Sequence, residues 1–472
     1  MIAIIGAGMS GMFAARALAR LGHAVTIFES DTPYVGQDPD AAFQDWRRPG
    51  VAQLRQPHAA RSLIVKLLAQ QDPDLLDALK ACGMVVWKFH LYSVEDPQIG
   101  HDPELVGLLG RRPTLEIPVR RLVEQTPGVT FERGAVKRLI VEQGATGPRV
   151  AGVELADGER RFDAVIDASG RRSKIMEWLQ LADVVPPHEE TSECGLVYYS
   201  RYFRFRPGVE IPAGPYPSGP SASLPGVHYT MNRTDRNTFS LMLGVSSHEQ
   251  VYKHLRHEPV FMDFVRRLPG ADSWLNPSVS TPIWKVEPFA GLINRYRRFS
   301  RDGRPLVEGL YVTGDARFHT NPIQGWGMSF ALQMSYMLAR AFEQQNDSAA
   351  RLEQFEREAD AYAYRYYRAS VDEDEARTEL WRHPQNALQR GEPGTYRYFL
   401  TTILPAVFKD QWIFRKVTRR LHLLDEPDLI LQDAEVLRRA ANIRASVDQT
   451  FSAKQLREMA AEASQLALGI QS

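Results

Sequence analysis

The sequence predicts an α/β protein: a parallel sheet covered on both faces, an inserted antiparallel sheet and a helical C-terminal region. Three observations predict it. An apolar run at residues 2–5 leads into Gly6, Gly8 and Gly11 and then a helix-forming stretch. Aromatic, alternating segments at 196–205 and 238–245 have the pattern of antiparallel strands. From residue 346 onward the chain is rich in Ala, Leu, Glu, Arg and Gln. The division this predicts is 1–190 and 286–345 for the parallel-sheet domain, 191–285 for the inserted sheet and 346–472 for the helices.

Each element follows in order. Ile2 to Ile5 is a buried strand, and Gly6 makes the tight turn out of it. Gly8 allows backbone to approach a pyrophosphate, and Gly11 allows close helix–strand packing. The helix N-terminus supplies free amides and a positive dipole end. A second apolar strand, Val25 to Glu29, ends in an acid placed to accept hydrogen bonds from ribose hydroxyls. Together these make a dinucleotide-binding unit. Residues 30–60 hold turn formers and the phrase Trp46-Arg-Arg-Pro-Gly-Val51, from which Arg48 and His58 are candidates to reach the edge of a bound cofactor. Residues 61–82 read as helix, and Arg112 and Pro113 open another. Residues 129–131 and 135–141 read as strands, the latter carrying Val136 as a cofactor contact. Residues 150–155 pair with 161–162 around the turn at 156–158. Residues 164–168 form a short buried strand entering the turn Ser169-Gly170. The stretch 212–226 is a Pro/Gly/Ser loop, 248–268 is helical, and 328–343 is a long apolar helix. Gly391-Glu-Pro-Gly394 is a turn in the C-terminal region, where Tyr398, Phe399, Phe408 and Trp412 are expected to face the rest of the protein.

Bulk properties narrow the class. Fifty-seven basic residues balance 57 acidic ones, which gives no electrostatic ground for a nucleic-acid or anionic-membrane partner. The two cysteines, Cys82 and Cys194, form no metal-binding or disulfide spacing, so no metal is expected and a reducing cytoplasm is the expected compartment. No apolar run approaches the ~20 residues of a membrane span.

A second motif lies at residues 313–329. A buried strand delivers Gly314-Asp315, an acid suited to ribityl or ribose hydroxyls. The proline turn Pro322-Ile-Gln-Gly-Trp-Gly327 then runs straight into a helix. Gly325 and Gly327 complete the turn, and the helix amides suit negative charge on a reduced flavin.

On Gly6–Gly11, Glu29, Arg112–Leu115, Asp167–Ser173 and Gly314–Gly327, residues 1–345 resemble the FAD-dependent monooxygenases of glutathione-reductase-type fold. These include the single-component aromatic hydroxylases and the styrene-monooxygenase-like and polyether-epoxidase-like branches. Residues 46–51 and 195–202 look most like the bacterial epoxidase-type subgroup. The resemblance implies Arg112 along the FAD pyrophosphate, Asp315 on the ribityl chain and the Pro322–Gly327 turn beside the isoalloxazine. It implies insertion of one oxygen atom from O2, through a flavin C4a-hydroperoxide, into an apolar alkene or arene. One departure stands out: the aromatic hydroxylases carry Asp-Gly where this chain has Ser169-Gly170. That leaves open whether NAD(P)H reduces the FAD directly or a partner flavin reductase does.

The substrate is expected between the flavin and the aromatic strand, with Tyr199 and Arg201 as contacts from the group Tyr198, Tyr199, Arg201 and Tyr202. Phe318 and Trp326 are further candidates, and His319 is a candidate proton donor. Competing readings are a flavin dehydrogenase or reductase and a non-catalytic escort protein of the same fold. A flavin halogenase is a third, although Trp284-Lys-Val-Glu-Pro288 does not match the W-x-W-x-I-P pattern of that family.

Overall fold

The structure, a computed structural model, describes residues 1–89, 102–144, 147–212, 219–384, 389, 391–443 and 451–469. Its five-stranded parallel sheet runs in the order Leu310–Val312, Ala164–Asp167, Ile2–Ile5, Val25–Glu29, Val129–Arg133. Along the first strand, Ile2 and Ile4 face one apolar core while Ala3 and Ile5 face another. Burial on both faces explains why this strand is apolar without alternation. The helix Met9–Ala19 leaves it through Gly6, whose φ of +98° belongs to glycine. A Cβ on Gly11 would stand 1.9 Å from the Gly6 carbonyl oxygen, so this position admits only hydrogen.

The second sheet is antiparallel, in the order Ser221–Leu224, Val227–Thr234, Thr238–Ser246, Leu196–Phe205, Ser280–Pro282, with Glu287–Phe289 also paired to Leu196–Phe205. One face is sealed by Val260, Phe261 and Phe264 of the helix Glu258–Arg266 and by Leu456, Met459 and Ala460 of the helix Ala453–Leu468. A small sheet, His188–Glu193, Ile293–Arg298 and Phe318–His319, joins the two layers. Arg111 pins them together. Its backbone amide donates to Asp235 Oδ1 at 2.7 Å and its guanidinium to Oδ2 at 2.6 Å, and Thr114 Oγ1 donates to the same carboxylate at 2.7 Å.

The C-terminal region is helical. Its longest helix, Ser348–Arg382, packs along Gly327–Gln344 with Leu352, Phe355 and Ala359 in the shared core. Tyr398 and Phe399 are buried in a separate apolar cluster with Ala369, Phe414 and Val436. Phe408 departs from expectation, being 47% exposed.

Several boundaries differ from the sequence reading. The stretch 61–82 is two helices, Ser62–Gln71 and Pro73–Ala81, because Pro73 cannot continue the first. The strand expected at 135–141 is Arg138–Gln143, which leaves Val136 in the preceding loop. The region 248–268 divides into Gln250–Arg256 and Glu258–Arg266, with Pro259 at the start of the second helix. The loop expected at 212–226 contains the edge strand Ser221–Leu224, while its residues 213–218 lie outside the described residues.

Candidate functional site

Both sequence motifs open onto one cleft of about 880 Å³ between the parallel and antiparallel sheets. Gly6, Gly8, Glu29, Arg48, Arg112, Val136, Ser169, Gly170, Asp315, Pro322, Gly325, Trp326 and Gly327 all line it. Gly11 and Gly314 sit behind this wall. A Cβ on Gly314 would meet Ser10 Oγ at 2.1 Å, which brings the second motif directly against the first.

At one end, Glu29 closes the second strand. Its Oε2 accepts from the Ala7 amide at 3.0 Å and its Oε1 from the Asp31 amide at 2.8 Å. Arg48 is anchored here rather than at the proline turn, bonded to Glu116 and ion-paired with Asp31 at 3.1 Å and Glu29 at 3.3 Å. Burial works against its charge, but the carboxylates outweigh burial and raise its pKa. Arg112 donates to Glu116 Oε2 at 2.8 Å. Toward the middle, Cβ positions built on Gly8 and on Gly170 meet no atom within 4 Å. Ser169 turns inward, with its amide and hydroxyl donating to Asp167 Oδ1 at 2.9 and 2.6 Å. Burial raises the Asp167 pKa despite these bonds.

At the other end stands Asp315. Among the described residues its carboxylate has no hydrogen-bond or ion-pair partner, and desolvation raises its pKa against the opposing fields of Arg171 and Arg112. The proline turn follows. Asn321 Oδ1 accepts from the Ile323 amide at 3.1 Å, Pro322–Gln324 forms a single tight turn, and Gly325 has a φ of +64°. Helix Gly327–Gln344 begins immediately afterward, and Gly327 and Met328 of its first turn line the cleft. The turn is braced from behind. Arg61 donates to the Gln324 carbonyl at 2.8 Å, Gln324 Nε2 to Glu373 Oε1 at 2.6 Å, and Trp326 Nε1 to the Leu421 carbonyl at 3.0 Å. Burial lowers the Arg61 pKa to about 10.

The antiparallel sheet forms the remaining wall, through Tyr198, Met242, Pro288 and Phe289, with Leu292 of the following loop beside it. Strand parity corrects the expected substrate contacts. Tyr198 faces the cleft and donates to Asn321 Oδ1 at 2.8 Å. Ser200 and Tyr202 share its face and bond Gln56. Tyr199 lies on the opposite face, packed in the helix-covered core, and Arg201 pairs there with Glu258 at 2.6 Å. Phe318 is a second correction, because its ring is buried against Phe330 and Tyr362 and does not line the cleft. Trp326 does line it, although its ring is 1% exposed and packs edge-on against Phe330 and Tyr366.

Two histidines line the cleft. His58 bonds the Gln56 carbonyl at 2.7 Å, and burial lowers its pKa to about 3. His319 is 6% exposed with an unpartnered Nε2, and burial, Arg171 and Arg295 likewise lower its pKa to about 3. At neutral pH both rings are therefore uncharged, so neither serves as an imidazolium acid, although each keeps one ring N–H. Tyr198 was among the candidates but was passed over for Tyr199, while the asparagine that holds it and the carboxylates on the long helix were missed by sequence reasoning. Strand alternation alone left Tyr198 and Tyr199 equivalent.

Residues 4–37 match a family described as an NAD(P)-binding Rossmann-like domain. Protein Rv3254 of Mycobacterium tuberculosis is 27% identical over 374 residues, 73% of either chain. Squalene epoxidase 5 of Arabidopsis thaliana is 28% identical over 148 residues, 30% of this chain and 26% of the plant protein. PqsL of Pseudomonas aeruginosa, a probable FAD-dependent monooxygenase, superposes with a TM-score of 0.57 at 17% identity, covering 81% of this chain and 97% of its own. The flavin-dependent brominase Bmp2 superposes with a TM-score of 0.56 at 15% identity, covering 98% and 99%. The chain therefore shares the overall fold of these two proteins.

Proposed function

We propose that the protein is an FAD-dependent monooxygenase that transfers one oxygen atom from O2 to an alkene or arene in an apolar pocket. The observation that carries this reading is the convergence in one cleft of the open position above Gly8, the partnerless carboxylate of Asp315 and the apolar wall around Tyr198. The residues present fit FAD: an extended ligand fills the space that the glycines leave, and its hydroxyls satisfy an otherwise orphaned acid.

Glu29 would hold the adenosine ribose, Gly8 and the helix N-terminus the pyrophosphate, Asp315 the ribityl chain and the Pro322–Gly327 turn the ring system. When bound and reduced, FAD supplies the electrons that activate O2. The amides of the first turn of Gly327–Gln344 offer fixed positive charge without reorganisation. Tyr198 and Asn321 orient the sheet-side wall, and Met242, Phe289 and Leu292 exclude water from it. His58 and His319, with pKa values near 3, are poor bases at neutral pH. This favours epoxidation of an alkene, which needs no protein base, over phenol hydroxylation, which does.

The mismatch of Trp284-Lys-Val-Glu-Pro288 to the halogenase W-x-W-x-I-P pattern favours monooxygenation over halogenation. The absence of a carboxylate at Ser169 favours reduction by a partner flavin reductase.

Oxygen-18 tests the reading. The FAD-loaded protein, photoreduced without NAD(P)H, is mixed with 18O2 and a panel of alkenes and arenes. One labelled oxygen atom per product molecule is expected. Anaerobic reduction of the bound FAD by a substrate, with no label incorporated, would establish a dehydrogenase. Adding NADH or NADPH with and without a flavin reductase identifies the electron source.

A further inference from the structure

The charges in the cleft are unevenly matched. At the Glu29 end the cations are neutralised, because Arg48 meets three carboxylates and Arg112 meets Glu116. At the Asp315 end the pairing is incomplete, since Arg171 reaches Asp315 only through its field and not in an ion pair. Arg171 has no carboxylate within ion-pair distance among the described residues, and its guanidinium lies 5.4 Å from the centre of the Phe289 ring on the apolar wall. Arg295 must share Glu189, which lies 2.6 Å from Arg297 and 3.5 Å from Arg295. The Arg295 Nε has no hydrogen-bond acceptor, and its Nη1 donates to the Arg171 carbonyl at 3.2 Å, which ties the two arginines together. His319, buried with a partnerless Nε2, lines the cleft beside them.

Unneutralised cations beside apolar surface cost free energy unless a ligand answers them. We infer that Arg171, Arg295 and His319 form an anion subsite that seats the carboxylate of an amphipathic substrate whose apolar body lies along Phe289 and Leu292. This rests on the monooxygenase reading and narrows its substrate to alkenoic or arene-carboxylic acids. The competing anion is the FAD pyrophosphate. Its place is at Gly8, whereas Arg171 and Arg295 contact Phe289 and the small sheet beside Asp315.

Matched probes test it: cinnamate and oleate against their methyl esters, titrated into the FAD-loaded protein and followed by perturbation of the flavin absorbance. The expected result is that an acid binds about tenfold or more tighter than its ester, the weight of a charge-assisted hydrogen bond. The preference should disappear in Arg171→Gln/Arg295→Gln while FAD affinity stays within about twofold. Equal binding of acid and ester, or no binding of either acid, would overturn the inference. So would a double variant that loses FAD and keeps the acid preference, because the arginines would then serve the cofactor. Failure of the wild-type protein to take up FAD at all would instead sink the monooxygenase reading, and the FAD titration reads that outcome separately.

Discussion

The side-chain amide of Asn321 donates to Asp374 Oδ1 at 2.8 Å, joining the residue before the proline turn to the C-terminal third of the helix Ser348–Arg382. Asp374 also accepts from Asn294 at 2.8 Å and is bonded to Arg377. The C-terminal helices thereby hold the turn that faces the cleft. Replacing Asp374 by Ala strands the buried Arg377 charge, so Asp374→Ala should cost about 3–5 kcal/mol of stability, measured by denaturant unfolding. Double-mutant cycles with Asn321→Ala should show coupling between the two positions.

Gly8 and Gly11 separate ligand space from packing space. A methyl at Gly11 would collide with the Gly6 carbonyl, and Gly11→Ala should destabilise by at least about 1–3 kcal/mol. Gly8 has an ordinary φ of −75° and open space before it. Gly8→Ala should unfold like the wild type in the absence of FAD yet take up FAD poorly, read by flavin absorbance after gel filtration. Normal FAD uptake by Gly8→Ala would contradict the placement of the pyrophosphate.

Asp315 should matter in opposite directions with and without ligand. Asp315→Asn should weaken FAD binding by about 1.5–3 kcal/mol, the cost of losing charge-assisted hydrogen bonds. Its native pKa lies above the ordinary 3.8, so the folded state holds a proton that the unfolded state releases. Stability therefore falls as pH rises from 3.8 through the native value. Without FAD, Asp315→Asn should be the more stable protein at pH 7, with the advantage vanishing below pH 3.8. Melting temperatures at both pH values check this.

Tyr198 and Tyr199 make a paired test of strand parity. Tyr198→Phe removes a buried hydrogen bond worth about 1 kcal/mol and should change turnover of whichever alkene incorporates 18O. Tyr199→Phe, on the helix-covered face, should leave both turnover and the unfolding midpoint close to wild type. Reversed outcomes would place the substrate elsewhere.

His58 and His319 predict acid sensitivity. Their native pKa values near 3 lie below the ordinary 6.5, so between these limits the unfolded chain binds protons that the folded chain refuses. Stability should fall as pH drops through that window, by at most about 1.4 kcal/mol per pH unit for each histidine. The slope should flatten in His319→Gln, measured by urea unfolding between pH 4 and 7.

The parts of the site that are legible in the sequence are those where backbone geometry dictates residue type. Gly6 and Gly11 are such places, as are Gly325 and the turn around Pro322. Their spacing relative to a strand and a helix is itself the signal. Side-chain roles on Leu196–Phe205 were not legible, because this strand is covered on both faces and both carry aromatic rings, Tyr198 and Tyr202 on one and Tyr199 and Phe203 on the other. Alternation carries information only where one face meets water. Phe318 lies on a two-residue strand, too short to show any period. The bracing by Asp374, Glu373 and Leu421 joins positions far apart in the chain, which no local pattern records.

The parallel sheet takes its edge strand, Leu310–Val312, from beyond the whole inserted sheet, and the proline turn leans on Leu421. On the ribosome, the nascent chain therefore exposes the glycine turn long before its opposing wall exists. The flank of Ala164–Asp167 stays unpaired through synthesis of residues 168–309, an open edge that invites association with other chains. Cofactor capture should therefore wait for the residues through Leu421, and chains halted before it should go to proteolysis rather than accumulate.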